Sequence, residues 1–504
     1  MSIKIFKKLG GSFEPPVITH KFTINKNLKW LSIELKYDKK SRFGLILWDS
    51  NKKIRAQILC TKSPIVIVID ESGKQSSAST LPGPIVQGEW TIETFKFLPE
   101  LNCNINEDIN YEIDINLGTD DINLEGTIPL GENIWTLYSD NTSFLSVNTY
   151  EWNKRKKEGL RWYKGDFHTH TTISDGKMTP KMNINQAKIM EMDFFVSTDH
   201  NILSTGWVEG DVLVIPGMEI TSQKGHFNAL GINKWIDFRL NTPDGGLSTD
   251  SGMNRLMTET KGAGGLCSIN HSMMTPWAWT YKETLLENID TLEIICDPSY
   301  ETSNQATEDV LDIWTKLWND GYRIWGIGGS DSHLLAHETY IEEGEPSLIG
   351  DPGTFVLAEG LSASEIIKGV SLGRIYVSRG PKLDVKVKLE DKSFNVGGNL
   401  TKLFENSEEK TVEYVIDLSN VKDELNIIFI ENGKRVYSKT ITEDNIITYA
   451  FKWKDTEYSW LRADIRNKEG KLVGFINPIY KGYKNKNLKT WKDLLEFDGG
   501  HNFE

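Results

Sequence analysis

The chain has few cysteines: only Cys60, Cys103, Cys267 and Cys296 occur among 504 residues. None of the four forms the closely spaced pair that zinc ribbons and redox motifs require. The sequence therefore excludes a thiolate metal site of those kinds. We expect four free, mostly buried thiols in a reducing compartment.

Long apolar runs are also missing. The segment 1–16 lacks the apolar stretch of a signal peptide, and no run approaches the ~20 residues needed to span a bilayer. These absences predict a cytoplasmic protein without a membrane partner.

Positive charge is in the minority, since 57 Lys and Arg stand against 71 Asp and Glu and the formal net charge is -14. This balance argues against nucleic acid as the main partner, because phosphate backbones are bound through Lys and Arg. A small phosphorylated substrate stays open, because bound metals can supply local positive charge. We therefore expect a small-molecule substrate, and the sequence leaves a homo-oligomer open.

A chain of 504 residues is too long for one hydrophobic core. Short apolar runs between polar turns predict an antiparallel sandwich or jelly roll over 1–152. Strands alternate with helices over 160–381, which predicts parallel strands and crossover helices that can close as a barrel. Strands return over 382–483 with the spacing of an Ig-like sandwich, and 484–504 is a polar tail.

Local signals predict individual elements of the α/β segment. Thr179-Pro180 starts a helix that runs to about Met192, a second helix covers 305–320, and a capping-box pattern at Ser362 starts a third that ends near Gly373. Strands are predicted over 194–198, 212–216, 266–270, 292–296 and 324–328. The C-terminal strands are predicted over 383–389, 411–418, 425–430, 448–453 and 472–476.

The histidines are unevenly distributed, since seven of the nine lie between His168 and His337. The first motif, His168-Thr169-His170, ends an apolar strand, and side chains two residues apart on a strand point to the same face. Alone, this pair is better explained as a chance surface motif. Asp175, however, follows on a tight turn and adds a carboxylate close by.

Further imidazoles and carboxylates follow the later predicted strands: His200, Glu219, His226, His271, Asp331 and His333. Taken singly, His200 is explained equally well as part of a capped turn, and Glu219 is better explained as a solvated strand end. Together they put ligands at five successive strand ends, where barrel enzymes keep their active sites. Mixed imidazole and carboxylate ligands without thiolate predict zinc, manganese or iron rather than calcium.

Two acidic residues near these motifs call for other roles. We expect Asp199 to orient a metal-bound histidine rather than to bind metal itself, since such histidines usually need a partner. Glu293, on a predicted strand, either faces the metals as a supporting group or is structural, and the sequence favours neither.

The series His168-x-His170, Thr198-Asp199-His200, His271 and Asp331-x-His333 resembles the four signature motifs of the polymerase and histidinol phosphatase (PHP) superfamily of metal-dependent hydrolases. The resemblance covers the segment 160–381 and its motifs are highly specific. It implies an α/β fold, a distorted (β/α)7 barrel, here flanked by N-terminal and C-terminal all-β sandwich domains. Two to three divalent ions (Zn, Mn or Fe) would lie at the strand C-termini.

The resemblance also implies how the ligands are shared. One ion would be held by His168, His170, Asp331 and Glu219. Glu219 would bridge to a second ion on His226 and His271, and a third position would use Asp175, His200 and His333. Asp175 replaces the histidine of some trinuclear relatives, so the third position is expected to be weaker or empty.

The layout of the whole chain is similar to one branch of the superfamily in particular. A β-rich leader, the segment 225–231 and a trailing sandwich with 477–480 look like the carbaryl-hydrolase-like branch of the superfamily. One departure is Ser272, where the family often has proline after the histidine, which affects the local turn rather than the ligand.

The resemblance predicts a hydrolase in which a hydroxide bridging the metals near Glu219 attacks phosphorus or a carbonyl carbon, while Asp331 handles the proton. Phosphomonoesters or phosphodiesters are the first choice of substrate, and carbamate or carboxylic esters are the second. Trp277 could wall a pocket for an apolar group, although core packing explains it better. Asn304 is either a helix N-cap or a substrate contact.

A function of a different class stays open at this point. The barrel could be a degenerate metal-binding scaffold whose flanking β-domains bind carbohydrate or another protein. The sequence argues against degeneracy, because no signature position is visibly lost.

Overall fold

The computed structural model describes residues 2–9, 17–37, 43–60, 66–96, 109–120, 126–139, 144–406 and 408–497. Cys103 and the side chain of Cys60 lie outside these residues, whereas Cys267 and Cys296 are buried free thiols, as expected. Within the described ranges, no helix is both long and apolar enough to cross a membrane.

The N-terminal part consists of two antiparallel four-stranded sheets, in the strand orders β1-β8-β3-β6 and β2-β7-β4-β5. Alternate residues of the strands face the space between the sheets; Leu31, Ile33 and Leu35 on one strand are all at most 1% exposed. This period of two buries one face of each sheet and forms a separate apolar core. The strands are β1 (Ser2–Leu9), β2 (Val17–Ile24), β3 (Trp30–Tyr37), β4 (Phe43–Trp48), β5 (Ile54–Cys60), β6 (Val66–Asp70), β7 (Gly88–Lys96), β8 (Ile109–Gly118) and β9 (Asn133–Ile134).

The central part alternates strands with helices. Its elements are β10 (Glu158–Asp166), α1 (Pro180–Ile189), β11 (Phe194–Ser197), β12 (Gly206–Trp207), β13 (Leu213–Ser222), β14 (Gly225–Leu230), α2 (Asp250–Gly262), β15 (Leu266–Ile269), β16 (Thr291–Cys296), α3 (Ser303–Asn319), β17 (Trp325–Gly329), β18 (Gly353–Gly360), α4 (Ala363–Ser371) and β19 (Ile375–Ser378). The predicted helices and strands of this segment are all present, with ends shifted by a few residues.

Parallel pairing aligns the ends of the central strands. β10, β11 and β13 pair in parallel, and so do β15, β16 and β17. β14 lies antiparallel between β13 and β15, so it begins at the edge where its neighbours end. The carboxyl ends of six strands and the start of β14 therefore share one edge of the sheet.

A regular (β/α)7 barrel is not what the described residues show. This part of the chain has only four α-helices, and β14, β18 and β19 run antiparallel to their neighbours. The physical reason is visible between β13 and β14, where only residues 223–224 connect the strands. A parallel strand needs a crossover of a dozen or more residues, so this connection can only form a hairpin.

Side-chain caps begin two of the central helices as predicted. Oγ1 of Thr179 accepts a hydrogen bond from Met182 N (3.3 Å), and Oγ of Ser362 accepts one from Glu365 N (3.3 Å). The N-cap of α3 is Thr302, and Asn304 lies inside the first turn of that helix. The N-cap interpretation of Asn304 is therefore wrong.

The C-terminal part adds a sandwich whose two sheets differ in their connections. β21, β20, β22 and β25 form a sheet of their own, whereas β27, β26, β23 and β24 continue the central sheet through β19 into one sheet of 13 strands. The elements are β20 (Lys382–Leu389), β21 (Lys392–Phe394), β22 (Lys410–Ser419), β23 (Leu425–Glu431), β24 (Lys434–Ile441), β25 (Asn445–Trp453), β26 (Ser459–Asn467), β27 (Leu472–Lys481) and α5 (Trp491–Glu496). The domain boundaries at 152, 160, 381 and 483 stay predictions.

Three strands of the C-terminal sandwich, β21, β24 and β26, were not predicted from the sequence. β21 is only three residues long. β24 lies at the end of the large sheet and begins with three exposed residues, so it lacks an apolar face there. β26 contains Arg462 and Asp464, which are buried and paired with each other (Nε to Oδ1, 2.9 Å). Charges of this kind break the apolar alternation by which strands are recognised.

Asn477 on β27 joins the C-terminal strands to the central ones. Its Oδ1 accepts from Gly326 N (2.7 Å), and its Nδ2 donates to the carbonyl oxygens of Gly326 (2.7 Å) and Ile375 (3.3 Å). Gly326 lies on β17 and Ile375 on β19, so one fully buried side chain connects three strands.

We expect Asn477→Ala to lower the free energy of unfolding by roughly 2–4 kcal/mol, because it leaves buried backbone groups without partners. Urea denaturation followed by circular dichroism measures this. Asn426→Ala, at a half-buried position of β23, is the control and should change the free energy by less than about 0.5 kcal/mol. Equal effects of the two substitutions would contradict the role of Asn477.

Candidate metal centre

The predicted ligands converge at the shared edge of the central sheet. His168 and His170 follow β10, His200 follows β11, His271 follows β15, and Asp331 and His333 follow β17, while Glu219 lies on β13 and His226 on β14. Glu219 and His271 both lie in the His168 pocket, although His168 and His333 are far apart in the chain. The structure thus brings together all nine residues that the sequence analysis singled out, including Asp175.

Glu219 is the centre of the cluster, and its side chain is 0% exposed. Oε1 lies near His168 Nε2 (3.2 Å), His226 Nδ1 (3.0 Å) and His271 Nε2 (3.6 Å), and Oε2 near His200 Nδ1 (2.5 Å) and His170 Nε2 (3.5 Å). Each oxygen of this carboxylate is therefore shared by at least two imidazoles. This is the arrangement expected of a carboxylate that bridges two cations.

Asp331 forms the second junction of the cluster. Its Oδ1 lies 3.2 Å from His168 Nε2, 3.0 Å from His170 Nε2 and 3.4 Å from His333 Nδ1. Asp175 forms the third, with Oδ1 at 3.4 Å from His200 Nε2 and 3.3 Å from His333 Nε2.

The donor atoms fit a metal because buried ones lack hydrogen-bond partners. His168 Nε2, both ring nitrogens of His170, Asp175 Oδ1, Glu219 Oε2 and Asp331 Oδ1 are buried and make no hydrogen bond within the described residues. Unsatisfied buried polar atoms are rare and call for an explanation such as an unseen ion. Four groups have ligand atoms within 4.8 Å of one another: His170, Asp175, His200 and His333; His168, His170 and Glu219; His200, Glu219 and His226; and His168, Glu293 and Cys296.

The local electrostatics keep the carboxylates charged. Burial alone would raise the pKa of Glu219, but the imidazoles of His200, His168 and His226 hold that pKa well below its usual range. Burial likewise opposes ionisation of Asp331, and His168, His333 and His170 lower its pKa in the same way. Among the residues that the structure describes, no lysine or arginine pairs with either carboxylate.

The backbone at these strand ends is strained. His271 has φ +31°, Asp331 +48° and Asn201 +51°, although none of them is glycine. Such conformations cost of order 1–3 kcal/mol each and persist only where the surroundings enforce them. Here they turn the side chains that follow β15, β17 and β11 toward the cluster.

Glu293 on β16 is a supporting residue of the cluster, which resolves the ambiguity left by the sequence. Its Oε1 lies 2.8 Å from His168 Nδ1, and its Oε2 accepts from the backbone N–H of His271 (3.1 Å). It therefore orients one predicted ligand and the backbone of another. Asn270, which donates to Glu219 Oε1 (2.9 Å), was missed, although it directly precedes His271.

Asp199 does not orient a histidine as expected. Its oxygens accept from Thr171 N (2.8 Å), from the Thr171 hydroxyl (2.9 and 3.2 Å) and from the Ser174 hydroxyl (2.6 Å). It therefore folds the loop that carries Asp175. The sequence did contain a signal for this role of Asp199. The short loop after His170 is rich in hydroxyl groups, and buried hydroxyl groups need a hydrogen-bond acceptor.

The two predicted substrate contacts differ in position. The Trp277 ring lies 6.3 Å from the His271 ring, measured between centroids, and is 38% exposed. Asn304 is exposed on the first turn of α3 and makes no hydrogen bond to the cluster in the described part of the chain. The structure brings Trp277, but not Asn304, to the metal centre.

No protein-family model matches the sequence, and no curated protein matches it. A two-domain protein from Bacteroides vulgatus, described as containing a predicted PHP-like metal-dependent phosphoesterase, is 18% identical and covers 65% of this chain and 98% of its own, with a TM-score of 0.35. A Bifidobacterium adolescentis protein, provisionally named a metal-dependent phosphoesterase, is 16% identical and covers 36% and 92%, with a TM-score of 0.24. Similarities this low support no conclusion about function, so the metal centre is argued from its geometry.

We expect Glu293→Gln to weaken divalent-metal affinity by about 10–100-fold, because the amide loses the charge that orients His168. Competition against a fluorescent chelator measures the affinity. Glu301→Gln, at an exposed position before α3, serves as the matched control and should bind metal as the wild type does. Unchanged affinity in Glu293→Gln would show that its contact with His168 has no part in metal binding.

Proposed function

We propose that this chain is a PHP-superfamily hydrolase that uses two to three divalent ions and acts on phosphomonoesters or phosphodiesters. One observation carries the proposal: Glu219 is fully buried among five imidazoles that lie on or just after four different strands. A structural role alone does not require so many unpaired ligand atoms at one point.

Each ion would be held by its own set of ligands, with Glu219 shared between two of them. Asp331, His168, His170 and Glu219 would hold one ion, Glu219, His226 and His271 a second, and Asp175, His200 and His333 a third. Imidazole and carboxylate ligands without thiolate suit zinc, manganese or iron. When bound, such ions supply Lewis acidity and lower the pKa of a water molecule toward neutrality.

Charge favours an anionic small molecule as the substrate. Glu219, Asp331, Asp175 and the supporting Glu293 contribute four negative charges, so two divalent ions balance the centre and three leave it positive. A phosphate group would meet that excess without Lys or Arg. Arg379, a candidate by its place in the sequence, is already paired with Asp351 (2.8 Å) and Glu345 (2.8 Å).

Asp331 is the best candidate for the residue that handles the proton. Its side chain is 18% exposed, whereas that of Glu219 is 0% exposed, so substrate and water can reach only the former. Its recorded contacts with imidazoles all use Oδ1. The other carboxylate oxygen, Oδ2, can therefore accept a proton from the attacking water and release it to the leaving group.

A carbamate or carboxylic ester is the second candidate substrate, and one observation favours it. Trp277, Tyr300 and Tyr340 follow three adjacent strands and form a row that starts beside His271. The ring centroids are 5.3 Å apart between Trp277 and Tyr300 and 5.4 Å apart between Tyr300 and Tyr340. Such a row offers an apolar surface to an aromatic group on an uncharged ester.

We expect the metal-loaded protein to hydrolyse p-nitrophenyl phosphate or bis-p-nitrophenyl phosphate faster than a naphthyl carbamate, and to lose this activity on chelation. Parallel assays with metal analysis of the same samples measure both effects. Faster turnover of the carbamate would favour the second candidate. Metal binding without turnover of any of the three would favour a metal-binding scaffold.

We expect Asp331→Asn to lower kcat/KM by about 10²–10⁴-fold, because an amide cannot accept the proton. The activity is normalised to the metal content of each sample, so that lost metal is not mistaken for lost proton transfer. Glu338→Gln, in the loop that follows His333, is the control and should keep full activity. Full activity of metal-loaded Asp331→Asn would refute its role.

A further inference from the structure

The N-terminal sandwich contacts the metal centre through the loop that carries His200. Gln57 on β5 forms two hydrogen bonds with the backbone of Leu203: its Oε1 accepts from Leu203 N (3.0 Å) and its Nε2 donates to Leu203 O (3.1 Å). Gln57 is 2% exposed. These buried bonds replace the backbone partners that Leu203 would otherwise find in a strand.

The loop continues along the N-terminal part after Leu203. The backbone N–H (3.1 Å) and hydroxyl (2.8 Å) of Thr205 donate to Ala78 O, and Trp135 N donates to Thr205 O (2.9 Å). β12 then pairs with β9. Residues 203–207 are therefore held by the N-terminal part rather than by the central sheet.

The other end of the loop is tied to β13. Asn201 N donates to Glu219 O (2.8 Å), and the Asn201 amide exchanges hydrogen bonds with the backbone of Thr221 (3.1 and 3.2 Å). The Thr221 hydroxyl lies 2.6 Å from His200 Nδ1. The backbone around His200 is thus anchored by β13 on one side and by Gln57 three residues later.

The space between the loop and the sandwich is nearly closed. A cavity of about 10 Å³ separates His200, Asn201 and Ile202 from Gln57 and its neighbours, which is room for about one water molecule. Little space is therefore left between the loop and β5 around the Gln57 bonds.

We propose that Gln57 is a positioning residue of the metal centre: it fixes the His200 loop, so the N-terminal sandwich sets the geometry of the position formed by Asp175, His200 and His333. The inference rests on the proposed metal-dependent function. It assigns the sandwich a part in building the site in addition to covering it. It does not make Gln57 a ligand or a catalytic residue.

The test compares two substitutions at the same interface in the full chain. Gln57→Met keeps the side-chain size and removes both bonds to Leu203. Glu93→Gln weakens a different contact of the same sandwich, the ion pair with Arg239 (3.1 Å), without touching the His200 loop. Titration with Mn²⁺, followed by electron paramagnetic resonance of the free ion, gives the number of ions bound and the affinity of each.

For Gln57→Met we expect the weakest Mn²⁺ affinity to fall about tenfold or more, as for other supporting residues, while the tightest stays unchanged. Glu93→Gln should bind Mn²⁺ as the wild type does. Hydrogen exchange at the Leu203 amide should accelerate only in Gln57→Met, because that amide loses its acceptor.

Three results would overturn the proposal. Wild-type Mn²⁺ affinities in Gln57→Met would refute the proposal while leaving the metal centre intact. An equal loss of Mn²⁺ affinity in Glu93→Gln would show that the effect comes from contact between the sandwich and the central part in general, not from Gln57. A wild-type protein that binds no Mn²⁺ would overturn both this inference and the proposed function. If Gln57→Met does not fold, Gln57→Glu keeps one of the two bonds, and wild-type affinity there would also count against the proposal.

Discussion

A charged carboxylate buried without a lysine or arginine partner is the constraint on which the metal centre depends. Ionised Glu219 would cost several kcal/mol in that position if it stood alone. Five imidazoles and the Asn270 amide compensate for it, and those groups need partners in turn. Glu293 orients His168 and Thr221 contacts His200. The groups that stabilise the Glu219 carboxylate, directly or through a histidine, therefore come from six strands.

Much of the centre could be predicted because each part of it has a local signal. An apolar strand that ends in His, Asp or Glu can be recognised from a few residues, and parallel pairing then brings such ends to one edge. The same holds for the capped helices α1 and α4, whose starts depend on residues three apart. Topology predicted that these strand ends lie together, whereas the central place of Glu219 was implied only by the resemblance to the PHP superfamily.

The rest could not be predicted because it depends on contacts between distant segments. Glu293 and Asp199 both looked like supporting acids, and only the packing decides that Glu293 reaches a histidine while Asp199 binds the loop that carries Asp175. Strand β26 was not predicted because its buried charged residues, which pair with each other, interrupt the apolar alternation of a strand. The distorted (β/α)7 barrel implied by the resemblance is not shown, because at β14 a short connection replaces the expected crossover helix.

The shared sheet of 13 strands has a consequence for how the protein can be divided. Cutting the chain after Pro381 would uncover the edge of β19 where β27 now pairs, and an open apolar edge of that kind invites aggregation. The C-terminal sandwich is therefore a poor candidate for deletion when the central segment is to be produced alone.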